Sequence, residues 1–236
     1  MDDNYFFEIN PKIEDLEEIK KWLKNEYNEN GESFYSNWSI IENSFKENRL
    51  VVYKLNGFSV GFIVWRKDNI VLDLDLMVIK YSLRDKGFGS RFLNDFMDFA
   101  IKMGVFVVML FCSPISSERF WKKMEFIKFP ENCVNHNLSY YKILINILEP
   151  NSSIDESNKI ELWDVEPHQI DNNLPKWEWC FDKNIELPIF HPSNGDWNIR
   201  LTKNGVIIKD DKVKYFNRED GVFDYCPFIF IQKIDE

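Results

Sequence analysis

Histidine is scarce in this chain, 3 among 236 residues, and cysteine is little commoner at 4. Cys112, Cys133, Cys180 and Cys226 lie far apart without a C-x-x-C pair, and His136, His168 and His191 are just as scattered. That spacing suggests neither a zinc site nor a dense disulfide framework, so no metal is expected and the thiols are read as free and buried. The histidines form no triad order and are read as structural. Long apolar runs are missing too. No stretch approaches the roughly 18 apolar residues of a membrane span, and Met1-Asp2-Asp3-Asn4-Tyr5 carries no basic or apolar leader pattern. The expectation is a cytoplasmic protein with no membrane partner.

Positive charge is in deficit. The chain has 29 Lys/Arg against 39 Asp/Glu, a net charge of -10, and a pI near 5.0. Such a balance repels a phosphate backbone, so nucleic acid is not favoured as a partner. Residues 1–150 hold 19 basic and 22 acidic side chains, and residues 151–236 hold 10 and 17, so the acidity is concentrated in the tail.

A hydrophobic content of 44% is enough for a core. Tyr5 to Ile9 reads as a strand, and Ile13, Leu16, Ile19, Trp22 and Leu23 recur at helical spacing, with polar Asn25 to Ser33 expected to break that helix. A second helix is expected over Asn37 to Glu47. Leu50 to Leu55 and Phe58 to Trp65 then flank Asn56-Gly57, a hairpin turn signal. Ile70 to Ile79 reads as a strand with Asp73 and Asp75 on one face. Phe92, Phe96, Phe99, Ala100 and Met103 form the buried stripe of a helix starting near Gly89 and ending at Gly104. Val105 to Phe111 is an apolar strand, Ser116 to Met124 a short helix with serine as its cap, and Leu138 to Leu148 a further strand.

The polar stretch from Glu149 to Asn158 is read as a domain boundary, giving domains 1–149 and 150–236. The tail is expected to be mostly β, with a hairpin at Asn204-Gly205. Trp163, Trp177, Trp179 and Trp197 are expected to fill its core, a sugar-binding or substrate-capping face being the alternative. The tail could cap a cleft, mediate a homodimer or bind something unrelated.

Arg84-Asp85-Lys86-Gly87-Phe88-Gly89 joins a strand to a helix through a turn with two glycines. Glycine lets a ligand approach the backbone, and a helix start offers unpaired N–H groups and the positive end of the dipole, which together suit a pyrophosphate. The dinucleotide fingerprint would need glycine where Phe92 stands, and the P-loop would need Gly-Lys-Ser/Thr; neither is matched.

The loop does match the Q/R-x-x-G-x-G/A signature of the GNAT superfamily of N-acetyltransferases, which residues 5–148 resemble through Arg84, Gly87 and Gly89 and through the order of elements around them. Phe120-Trp121-Lys122-Lys123-Met124-Glu125-Phe126 is similar to that family's second motif, with Glu125 in place of the usual glycine. The resemblance implies an α+β fold in which helices flank a mixed, mainly antiparallel sheet. It also implies a splay between the strands at 70–79 and 105–111 that takes acetyl-CoA as co-substrate. Main chain at Met77, Val78 and Ile79 would meet the pantetheine, and Arg84, Asp85, Lys86, Gly87, Phe88, Gly89 and Ser90 would form the pyrophosphate loop. Asp85 stands where glycine is frequent, and its carboxylate must point away from the phosphates.

Acyl transfer to an amine-bearing acceptor, small molecule or protein, needs the neutral nucleophile, so a base must remove a proton. Asp73 is the first candidate and Asp75 the second, because some members of the family carry a glutamate base at the spacing Asp73 has from Arg84. Trp121 occupies the place of the family's tyrosine acid and has no suitably acidic proton, so Tyr140, Tyr141 or water would substitute. Two other roles stay open: a CoA-binding sensor or scaffold, and a GNAT-type toxin acting on aminoacyl-tRNA, which the acidic charge disfavours.

Overall fold

The computed structural model describes residues 4–31, 33–151, 157–170, 173–181 and 187–232. The chain divides into two compact units: Met1–Phe126 with Tyr140–Leu144, and Ile127–Ser139 with Ile145–Glu236. Among the described residues no helix is long and apolar enough to cross a membrane, and no group of His, Cys, Asp or Glu could hold a metal ion.

The first unit follows the order β1 (Tyr5–Glu8), α1 (Ile13–Asn30), α2 (Trp38–Lys46), β2 (Leu50–Leu55), β3 (Phe58–Asp68), β4 (Val71–Ile79), α3 (Phe88–Lys102), β5 (Val107–Phe111) and α4 (Glu118–Lys123). The two-residue β6 (Ile127–Lys128) is counted with the second unit, and β7 (Ser139–Ile143) follows it. Strands of the first unit lie in the order β1-β2-β3-β4-β5-β7. Pairing is antiparallel from β1 to β4 and parallel between β4 and β5, so the sheet is mixed.

Alternation along the strands sends apolar side chains to both faces, and helices cover both. On one face Leu16, Ile19, Trp22 and Leu23 of α1, with Ile41 of α2, pack on Leu50, Val52, Phe62, Val64 and Val78. On the other, α3 lays Phe92 on Tyr53 at 4.8 Å between ring centroids and Phe99 against Trp65 at 6.0 Å. The turn at Asn56-Gly57 has φ of 52° and 86°, as a two-residue hairpin of this twist demands.

Helix α1 does not break at Asn25. It runs to Asn30 and stops at Gly31, φ 72°, whose N–H donates to the Tyr27 carbonyl at 2.9 Å. Its last turns are polar because they are mostly exposed, while Glu26 alone among them turns inward and is buried. The serine cap expected for α4 is also absent: the helix starts at Glu118 after a 3-10 turn, and Ser117 makes no cap bond. The strand expected over Leu138 to Leu148 is shorter, ending at Ile143.

In the second unit β8 (Lys159–Trp163), β9 (Trp177–Cys180), β11 (Asn198–Lys203) and β12 (Val206–Lys212) form one sheet, ordered β12-β11-β8-β9. A second sheet has β14 (Phe228–Ile231) between β10 (Ile189–Pro192) and β13 (Val222–Asp224). The region is mostly β, and Asn204-Gly205, φ 49° and 75°, turns the hairpin β11–β12. Trp163, Trp179 and Trp197 are buried, and Trp177 stacks on Trp197 at 5.5 Å. The expected boundary segment falls partly on 152–156, outside the described residues. Asn151 just before it is fixed, its side chain accepting from Cys180 N–H at 2.7 Å and donating to Cys180 C=O at 3.2 Å.

Candidate active site

Strand register decides where a cleft forms. β4 pairs with β5 only from Val71↔Val107 to Leu74↔Leu110, yet stays paired with β3 as far as Ile79↔Gly61. Where β5 is lost, Val64 faces Leu76 and Trp65 faces Leu74, so Asp75 is the extra residue of a β-bulge. A bulge bends its strand, and here the bend coincides with the parting of β4 from β5. Between the second half of β4 and the segment after Leu110 lies a cleft of about 760 Å³.

One wall of this cleft is main chain. Lys80 N–H donates to Val60 C=O at 2.8 Å, toward β3. By alternation the groups of Ile79 and Met77 point the other way, and the Ile79 carbonyl indeed accepts from Arg84 Nε at 2.9 Å. Met77 therefore turns its N–H and C=O toward the cleft, which Met77, Val78 and Ile79 all line.

The second wall is the loop. Gly87 has φ 85°, a region that glycine enters without strain, and α3 begins directly after it. The first bond inside that helix runs from Arg91 N–H to Gly87 C=O at 3.2 Å, so the amides of Phe88, Gly89 and Ser90 have no carbonyl partner within the helix. Gly87, Gly89 and Ser90 line the cleft. A Cβ on Gly89 would stand 3.4 Å from the Phe120 ring, which shows how closely α4 approaches the loop.

The other expected residues divide. Arg84 lines the cleft, but its side chain braces the loop: besides the Ile79 bond, Nη2 is 3.8 Å from Glu26 and the guanidinium lies 5.2 Å from the Tyr81 ring centroid. Glu26 also accepts the Tyr81 N–H at 2.7 Å, so the inward residue of α1 holds the loop's entrance. Asp85 is exposed on the cleft with φ 59°. Lys86 donates to the Ser82 carbonyl at 2.8 Å and Phe88 packs on Tyr5 at 5.5 Å; neither lines the cleft.

Asp75 lines the cleft and Asp73 does not. Arg66 of β3 joins them, with Nε and Nη2 each 2.8 Å from an Asp75 carboxylate oxygen and Nη2 3.9 Å from Asp73. Burial pushes the Asp73 carboxyl above its ordinary value; Arg66 opposes this, while Asp75 and Asp68 add to it. Trp121 is buried and its indole N–H donates to Ser117 Oγ at 3.1 Å. The Tyr140 hydroxyl donates to Glu118, and burial together with that carboxylate pushes the phenol up to about 12.

Sequence reasoning passed over the face of α4. Arg119, Phe120 and Lys123 of α4 line the cleft at steps of three and four, with Ser116 of the preceding 3-10 turn beside them, a stripe readable in the sequence once the helix is placed. Phe34, from a 3-10 turn before α2, lines it as well.

No family model matches the chain, and no curated protein matches it. Solved structures similar to it include Ard1 from Thermoplasma volcanium, 18% identical, covering 60% of this chain and 99% of that one at a TM-score of 0.45. An acetyltransferase of the GNAT family from Staphylococcus aureus is 16% identical, covering 60% and 100% at 0.47. The PaiA N-acetyltransferase from Thermoplasma acidophilum, in complex with coenzyme A, is 17% identical, covering 59% and 99% at 0.48.

Proposed function

We propose that this chain is an acyl-CoA-dependent N-acetyltransferase that moves an acetyl group to a primary amine of a small molecule or protein. One observation carries the reading: β4 and β5 part at the Asp75 bulge, and the opening leads to the uncapped amides at the start of α3. The donor set fits the co-substrate, since a diphosphate needs converging N–H groups and an extended amide arm needs main chain with which to pair. Acetyl-CoA supplies the thioester electrophile. The amides of Gly89 and Ser90, both on the cleft lining, hold its diphosphate, and Met77 offers an N–H and a C=O to its arm.

An alkylammonium has a pKa of roughly 10.4, so the acceptor must lose a proton before it attacks. Asp73 stands outside the cleft lining and is the base through a water relay: desolvation raises its carboxyl and makes it a stronger proton acceptor than an ordinary aspartate. Arg66 binds both oxygens of Asp75, so Asp75 fixes the guanidinium beside Asp73. An acidic protein suits a cationic acceptor.

Incubation with acetyl-CoA and a panel of polyamines, aminoglycosides, amino acids and lysine peptides tests the activity. Thiol release with at least one acceptor is expected, and none across a broad panel would sink it. A second reading, a CoA-binding sensor, is favoured by one specific contact: Trp121 stands at the acid's place and gives its only donor to Ser117. Under that reading CoA binds, no acceptor turns over, and Asp73→Asn changes nothing.

A further inference from the structure

The cleft differs chemically between its two ends. Among the described residues the charged side chains on its lining are Asp75, Arg84, Asp85, Arg119 and Lys123. Arg84 and Asp85 belong to the loop, and Arg119 and Lys123 to the helix whose Phe120 approaches Gly89. At the bulge end that leaves Asp75, and both of its carboxylate oxygens already accept from Arg66 at 2.8 Å. The walls beside Asp75 are apolar. Leu74 and Leu110 line the point where β4 and β5 stop pairing, and Phe111, the residue after that last pair, lines the cleft while 54% exposed. Leu76, next to Asp75, lines it too, and Leu76 and Phe34 both pack on the core beneath α1 and α2.

We infer that this end takes a primary amine carried on an apolar body, a longer alkylamine or an arylalkylamine, and that Phe34 and Phe111 set the preference. The inference rests on the acyl-CoA reading and deepens it by naming the acceptor's class. An apolar body gains by leaving water against phenylalanine and leucine. A second or third ammonium has no such gain, because it must shed its hydration against an apolar wall whose one carboxylate is committed to Arg66. Polyamines, aminoglycosides and basic peptides therefore fit poorly, although a net charge of -10 attracts them from a distance. Long-range attraction draws in any cation, and contact chemistry selects among them.

Steady-state rates of the full chain at saturating acetyl-CoA test this along ethylamine, butylamine, hexylamine and phenethylamine, with spermidine and an aminoglycoside for comparison. The value of kcat/KM is expected to rise by about fourfold per added methylene until the end is filled. Phenethylamine should exceed spermidine by on the order of tenfold. In the double variant Phe34→Ala/Phe111→Ala the rise should flatten, whereas Phe58→Ala, which removes an exposed ring outside the cleft lining, should keep it. A flat series in wild type, or spermidine or the aminoglycoside ahead of every apolar amine, overturns the inference and leaves the acyl-CoA reading standing. That wild-type series decides by itself should the double variant fail to fold. A rise that survives in a folded double variant overturns the assignment to the two phenylalanines. Turnover of no acceptor of any class removes the acyl-CoA reading and this inference with it.

Discussion

Two hairpins in this molecule turn on the same Asn-Gly pair, and they serve different ends. Asn56-Gly57 and Asn204-Gly205 share positive φ at both residues, 52° and 86° against 49° and 75°. The first feeds β3 into the interior of a sheet, where the next strand bulges and then leaves its neighbour. The second ends in β12, an edge strand with Val206, Ile207 and Ile208 exposed. Behind β12, Asp210, Arg200, Glu161 and Glu178 stand opposite one another across successive strands, and Arg200 binds Asp210 at 2.8 Å. Local turn chemistry is therefore equal in the two units, and what separates them is where pairing stops. In the first unit it stops at Leu74 and Leu110 and opens a cleft. In the second, charged side chains close on one another across the strands.

The contrast breaks most sharply at its glycines. Gly87→Glu should remove measurable CoA binding in calorimetry, because it places bulk and negative charge where the diphosphate sits. Gly205→Glu, at a comparable φ of 75°, should cost stability through strain and leave CoA affinity unchanged. Equal loss in both variants would mean that global unfolding, and not the loop, governs binding.

Asp73→Asn ranks next. The loss in kcat should be roughly 10²- to 10⁴-fold with the KM for acetyl-CoA unchanged. Because burial raises the folded pKa of Asp73, its contribution to stability is complete at low pH and is lost as pH rises from the unfolded value of 3.8 through the raised one. The variant should thus be no less stable than wild type near neutral pH, which thermal melts would check and which separates lost catalysis from lost fold.

In the second unit His191 is predicted to matter for stability alone. Burial lowers its pKa to about 4, so the unfolded chain binds the proton first as pH falls. Stability should be present above roughly 6.5 and decline by on the order of 3 kcal/mol as pH falls toward 4, a decline absent in His191→Phe. The smallest effect is expected at Asp85. Asp85→Asn removes a carboxylate from the cleft and should tighten CoA by a factor of a few, an effect that salt diminishes.

The sequence made the loop legible because glycine and helix-start chemistry are local: Gly87, Gly89 and the stop at Gly104 are visible in any window that contains them. The Asn-Gly turns were legible for the same reason. What stayed hidden depends on partners distant in sequence. Glu26 continues a helix that looked finished because its target, the amide of Tyr81, lies 55 residues away. Arg84 is legible as part of the loop signature, but the Ile79 carbonyl and Glu26 around its guanidinium are not. The bulge at Asp75 exists only relative to β3, and the stripe Ser116, Arg119, Phe120 and Lys123 acquires meaning only when α4 is set across from Gly89. That Trp121 lacks a proton to give is legible from its residue type, whereas its bond to Ser117 depends on the turn before α4.

Amide hydrogen exchange with and without acetyl-CoA tests the central claim most directly, since it reads both units of one molecule at once. Acetyl-CoA should slow exchange at Met77, Gly89 and Ser90, and leave the strands at 198–203 and 206–212 as they were. Protection confined to the second unit, or no protection anywhere at saturating acetyl-CoA, would contradict the assignment of the donor site to the parting of β4 and β5.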